Sequence, residues 1–154
     1  MAPSPISQRP IGVAIAGLGF GEAVHLPALQ NVPELEPVAL WHRRQDRLDR
    51  ACSNSALKGY HCWDSLLEDS RVDAVIIATP PAARFELAMR ALKAGKHLLL
   101  EKPVSLNAQD VADLQREAIG RDLSVAVDFE YRAVPLFQQG NCPVSVSYTH
   151  LTLP

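Results

Sequence analysis

The sequence is poor in the features that mark several large classes of protein. It holds only three cysteines, Cys52, Cys62 and Cys142, an odd and scattered set without a CxxC. Such spacing offers neither a disulfide framework nor a zinc site, and a reducing, cytoplasmic setting is expected. Neither sign of charge dominates, because 15 Lys and Arg stand against 17 Asp and Glu. There is accordingly no basic stripe for nucleic acid and no acidic tail. No apolar run is long enough to span a bilayer, and residues 1–10, which lack an apolar core, read as a disordered leader rather than a signal peptide. Internal repeats and low-complexity segments are absent as well. At 154 residues the chain has the length of one domain, and small molecules are its expected partners.

What is present is an alternation of strand-like apolar runs with stretches of helical period, the pattern of βαβ units and a parallel sheet. Six strands are predicted, at Ile11 to Ala16, Pro37 to Trp41, Gly59 to Cys62, Val72 to Ala78, His97 to Leu100 and Ser124 to Val127. The fourth is almost continuous in Val, Ile and Ala, as a strand buried on both faces requires. Between strands four and five, Phe85, Ala88, Met89 and Leu92 form one helical stripe, and Gly95 stands where a left-handed C-cap belongs. Asn107 with Asp110 predicts an N-cap for a helix whose buried stripe is Val111, Leu114 and Ala118 and whose stop is Gly120. Pro27 falls where the first helix is under way, so that helix should kink or restart there. The implied fold is α/β, a doubly wound parallel sheet in the order 3-2-1-4-5-6.

The first strand empties into Gly17-Leu18-Gly19-Phe20-Gly21. Gly17 permits a tight turn, Gly19 lets backbone amides approach a pyrophosphate, and the helix that follows directs unpaired N–H groups at the same place. Gly17, Gly19, Phe20 and Gly21 are thus the candidate cofactor cradle, the alternative being a strand that ends in a flexible turn. At the end of the second strand the run is Trp41-His42-Arg43-Arg44, with no carboxylate before Asp46. A site that prefers NAD places an acid there for the ribose 2′-OH, whereas guanidinium groups suit a 2′-phosphate. His42, Arg43 and Arg44 therefore favour NADP, with NAD as the alternative if the arginines are only a solvated helix entrance. The other strand ends are Ala78-Thr79-Pro80-Pro81, Glu101-Lys102-Pro103 and Asp128-Phe129-Glu130, all on the edge where open α/β sheets bind ligands.

Three blocks together resemble the N-terminal half of the Gfo/Idh/MocA oxidoreductases: Gly17 to Gly21 with His25-Leu26-Pro27-Ala28-Leu29, Asp73 to Pro81, and Ala94-Gly95-Lys96-His97 through Glu101-Lys102-Pro103. The similarity runs from Ile11 to Pro135. It implies a Rossmann domain binding NAD or NADP, with Ala78, Thr79, Pro80, Glu101 and Lys102 also near the cofactor. It implies a second α/β domain that builds most of the substrate pocket, and it carries Lys102 over as a catalytic or substrate-orienting residue. Two positions depart from the family pattern. Arg84 stands where a His commonly follows Thr-Pro, and Glu22 stands at the third glycine of GxGxxG, with Gly21 one residue early.

A lysine at that place has a chemical reason beside the resemblance. Hydride transfer to or from a sugar or polyol carbon needs the hydroxyl proton managed and the developing negative charge on oxygen stabilised. Acid–base work at neutral pH would need the lysine pKa lowered by roughly 2–3 units from its usual value near 10.4. Alternation at the strand end should turn Glu101 away from Lys102, which makes Glu101 an orienting or ribose-side group.

The expected layout is a dinucleotide-binding domain at 11–128 and the start of a crossover at 129–145. Val146 to Pro154 resembles a translated sequencing-library adapter, the alternative being a natural terminal strand. The whole protein is expected to be an NADP-dependent oxidoreductase acting on a sugar or polyol, a homo-oligomer, with this chain inactive by itself. A non-catalytic regulator sensing NADP or a sugar on the same fold is the alternative, and a stand-alone nucleotide-binding module of another kind is a third.

Overall fold

The computed structural model describes residues 9–53 and 55–133. The terminal tail, nearly all of the leader and most of the crossover segment lie outside the described residues. Strands β1 (Ile11–Ala16), β2 (Leu35–Trp41), β3 (Lys58–Tyr60), β4 (Ala74–Ile77), β5 (His97–Glu101) and β6 (Val125–Asp128) form one sheet in the order β3-β2-β1-β4-β5-β6. Every pairing is parallel. The predicted order is the observed one, and β1 lies at its centre because it is apolar on both faces and can be buried from both sides.

Helices α3 (Trp63–Leu67), α4 (Pro81–Lys93) and α5 (Ala108–Gly120) cover one face, while α1 (Leu26–Leu29) and α2 (Gln45–Cys52) cover the other. Period-two alternation sorts the side chains. Ala14 and Ala16 of β1 join Val75, Ile77, Leu98 and Leu100 under the first helix layer, and Val13 and Ile15 join Ile76 and Leu40 under the second. The register slips once, between Val13 and Ala14, beside Pro37, which has no N–H for the ladder.

Several boundaries differ from expectation. β2 begins at Leu35, ahead of its proline, and β6 extends to Asp128. β3 ends at Tyr60, short of Cys62, which instead becomes the N-cap of α3. β4 is shorter than predicted, since Val72 precedes it and is held by a turn to Asp69. Gly95 takes the left-handed conformation at φ 77°, and the Asn107 side chain accepts from the Asp110 amide at 2.8 Å, as expected. The first helix does restart at Pro27. A π-helical turn, Gly21–His25, hands over to α1 one residue before it.

The stripe predicted for α4 faces the core, but not as the centre of the buried arc. The buried residues of the helix are Arg84, Leu87, Ala88, Ala91 and Leu92, with Phe85 and Met89 only partly covered. The helix packs against α5 as well as the sheet, and it must also bring Arg84 inward, so its buried arc is rotated from the one that apolar periodicity alone marks. Among the described residues no helix is long and apolar enough to cross a membrane.

Candidate functional site at the carboxyl ends of the strands

The glycine loop leaves β1 at the centre of the sheet. Gly17 has φ 109°, and a Cβ there would stand 2.7 Å from the Ala78 carbonyl oxygen. Only glycine tolerates both conditions. A Cβ on Gly19 would meet nothing within 4 Å, so the loop is open where a phosphate must approach. Gly21 performs the packing that the displaced glycine pattern left in question, because a Cβ there would lie 2.7 Å from Ile15. Glu22, at the formal third-glycine position, is exposed. Phe20 projects from the loop, 44% exposed. Beside the loop, Thr79 is buried and its hydroxyl has no hydrogen-bond partner among the described residues. Pro80 is exposed next to it, one residue ahead of α4. An open loop flanked by an unused buried hydroxyl fits a bound dinucleotide.

At the end of β2 the three candidates behave differently. The His42 Nδ1 accepts from the Arg44 amide at 3.0 Å, which closes the turn into α2. Arg44 is bound to Asp46 through two hydrogen bonds of 3.1 and 2.6 Å, and this pairing raises its pKa and lowers that of Asp46. Arg43 is exposed and makes no side-chain contact of this kind among the described residues. Arg43 therefore remains available to an anion, while Arg44 is largely taken by its own helix entrance. The Trp41 ring is turned the other way, edge-on to Trp63 at 5.1 Å under α3.

Arg84, the departure noted in the sequence, is the buried cation of the site, 3% exposed. Its guanidinium donates to the Glu101 carbonyl at 2.5 Å and also to the carbonyls of Thr79 and Pro103. One side chain thus ties the end of β4 to both sides of the Glu101-Lys102-Pro103 turn. Burial lowers its pKa, and the Glu101 carboxylate partly offsets the shift.

Glu101 and Lys102 do point apart. Lys102 is half exposed and its Nζ sits 2.8 Å from the Glu130 carboxylate. The hydrogen bond to Glu130 raises the lysine pKa, against a smaller lowering by desolvation. The lowering that acid–base work at neutral pH would need is therefore not supplied by this surrounding. The turn Glu130–Ala133 brings an acid to the lysine. Glu101 is buried, and its Oε1 meets the His25 Nε2 at 2.8 Å. The Asp128 Oδ2 lies 3.9 Å from the same nitrogen. Desolvation, followed by the neighbouring Glu101, raises the Asp128 pKa.

Sequence reasoning gave no role to His25, Asp128 or Glu130 and read Arg84 only as an exception. The usable signals were a lone histidine at a glycine-loop helix and an arginine inside an otherwise apolar helical arc.

Comparison with known proteins agrees with the fold. The chain is 42% identical to the oxidoreductase sll0816 of Synechocystis over 127 residues, 82% of this chain and 34% of that protein. It is 38% identical to dTDP-3,4-didehydro-2,6-dideoxy-alpha-D-glucose 3-reductase of Streptomyces violaceoruber over 104 residues, covering 68% of this chain and 30% of the relative. Among solved structures it resembles KijD10, a 3-ketoreductase from Actinomadura kijaniata in complex with NADP and TDP-benzene. There the TM-score is 0.80 at 32% identity, over 85% of this chain and 41% of that one. The chain thus spans about a third of the length of the curated relatives it matches. The sequence model of an oxidoreductase family with an NAD-binding Rossmann fold matches residues 11–129, and the chain belongs to that family, Gfo/Idh/MocA, through this domain.

Proposed function

We propose that this chain is the NADP-binding part of an oxidoreductase that moves hydride between the coenzyme and a sugar or polyol. The observation that carries the reading is Arg43, a guanidinium at the end of β2 that has no partner among the described residues, in a run, Trp41 to Arg44, that holds no carboxylate for a ribose 2′-OH. The crystallisation of KijD10 with NADP and a TDP-linked ligand supports it. When bound, the nicotinamide supplies or accepts the hydride.

The chain's own residues would do the rest. Gly17, Gly19, Phe20 and Gly21 would carry the pyrophosphate, with Thr79 offering its free hydroxyl nearby. Lys102, kept as an ammonium by Glu130, would hydrogen-bond the reacting oxygen, stabilise negative charge there and return a proton to it in the reductive direction. A lysine with a raised pKa suits charge stabilisation better than proton abstraction. Catalysis belongs to the longer protein in this reading, because groups outside this chain must hold the substrate carbon at the near-attack distance of about 3–3.5 Å. Calorimetric titration of the purified chain tests the cofactor assignment. NADPH should bind at least tenfold more tightly than NADH, and Arg43→Asp should close or reverse the gap. Equal affinities in the parent chain would refute it.

A further inference from the structure

His25 is a buried histidine that the proposed chemistry does not use. It ends the π-helical turn Gly21–His25, in which the Leu26 amide bonds back to the Gly21 carbonyl. Within that turn only Gly21 and His25 are buried, while Glu22, Ala23 and Val24 face solvent. Wide turns of this kind recur at functional sites. The His25 ring touches the glycine loop on one side, edge-on to Phe20 at 5.3 Å with an interplanar angle of 80°. On the other side its Nε2 is bonded to Glu101 at 2.8 Å. Glu101 is held twice, by His25 through its carboxylate and by Arg84 through its carbonyl. It is also the residue immediately before Lys102.

We propose that His25 is a positioning residue that couples the glycine loop to the Glu101–Lys102 strand end, so that a ligand seated on the loop is registered at Lys102. The inference rests on the dinucleotide reading of the loop. The physical basis is stiffness. A buried hydrogen bond to a carboxylate is strong and short, and breaking it leaves a desolvated charge without its partner. Displacement of the turn is therefore passed to Glu101 rather than absorbed by solvent. Asp128 completes the cluster. Burial and the neighbouring Glu101 make its carboxyl take a proton more readily than an ordinary aspartate. The ligand atoms of His25, Glu101 and Asp128 lie within 4.8 Å of one another, and the His25 Nε2 is hydrogen-bonded to Glu101.

The test uses the full chain labelled with ¹⁵N-glycine and ¹⁵N-lysine and titrated with 2′-phospho-ADP-ribose, which lacks the nicotinamide. In the parent the Gly17, Gly19 and Gly21 amides should shift, and so should the Lys102 amide, although the probe has no ring to reach it. In His25→Ala the glycine shifts should persist while the Lys102 shift falls at least threefold. His25→Gln, whose amide can donate to Glu101 from the position of Nε2, should restore it. If His25→Ala does not fold, His25→Asn serves, since its amide stands at the place of Nδ1 and falls short of Glu101. An undiminished Lys102 shift in the variant would overturn the proposal. Moving glycines with a silent Lys102 in the parent would overturn the coupling alone. Silent glycines in the parent would remove the dinucleotide reading, and the coupling with it.

Discussion

Arg84→Met removes one charge and leaves three carbonyl oxygens, on Thr79, Glu101 and Pro103, without their donor. Each buried acceptor left dry costs about 1–3 kcal/mol. Relief of the desolvated guanidinium, whose unbonded Nε is itself buried, returns part of that cost. Three such acceptors, less that relief, leave a net cost of about 3–5 kcal/mol. A domain of this size has a total stability of about 5–15 kcal/mol, and each kcal/mol corresponds to about 3–6 °C in melting temperature. The variant should therefore melt about 10–20 °C lower in a circular-dichroism scan at neutral pH. Arg84→Lys should recover part of the loss, because an ammonium keeps the charge and up to three donors but lacks the planar fork that serves three separated carbonyls. A fall of less than 3 °C would refute the reasoning, since it would mean that water or relaxation satisfies these carbonyls without the arginine.

The two arginines at the end of β2 should separate under calorimetry: Arg43→Ala should cost at least tenfold in NADPH affinity and leave NADH unchanged, whereas Arg44→Ala should cost less because Asp46 already holds that guanidinium. In the complete enzyme, Lys102→Ala should lower kcat by about 10²–10⁴ with cofactor binding preserved, as loss of an acid–base group does. Glu130→Gln should bring the alkaline loss of activity to lower pH, because Glu130 is what raises the Lys102 pKa. Asp69 is held below its ordinary pKa, first by the hydrogen bond from Arg71 and then by Tyr60, against desolvation. A carboxylate whose pKa is lower in the folded than in the unfolded state contributes stability above its unfolded pKa of about 3.9 and loses it as pH falls toward the folded value. Parent stability should thus drop below about pH 4, and Asp69→Asn, less stable at pH 7, should show a shallower acid limb in urea titrations.

Much of the architecture was legible from the chain because the signals are local. The glycine loop follows from Gly17, whose backbone no other residue adopts cheaply, and α5 begins where Asn107 can cap it. The strand order follows from an apolar β1 and from the right-handed crossover that short βαβ units impose. The candidate residues at the strand ends were legible for the same reason, since in a parallel sheet every carboxyl end lies on one edge. Their partners were not. His25 meets Glu101 across 76 positions, and Arg84 reaches Glu101 and Pro103 across 17 and 19. No periodicity encodes such contacts, because they depend on how far each crossover helix slides and rotates on the sheet. Packing decided that rotation for α4, turning Arg84 inward where apolar periodicity marked Phe85 and Met89. Packing likewise decided that Lys102 would face Glu130 and so become more basic rather than less. Sequence placed the lysine at the end of its strand, but the charge state of a side chain depends on which groups surround it in space, and only the fold assembles that surrounding.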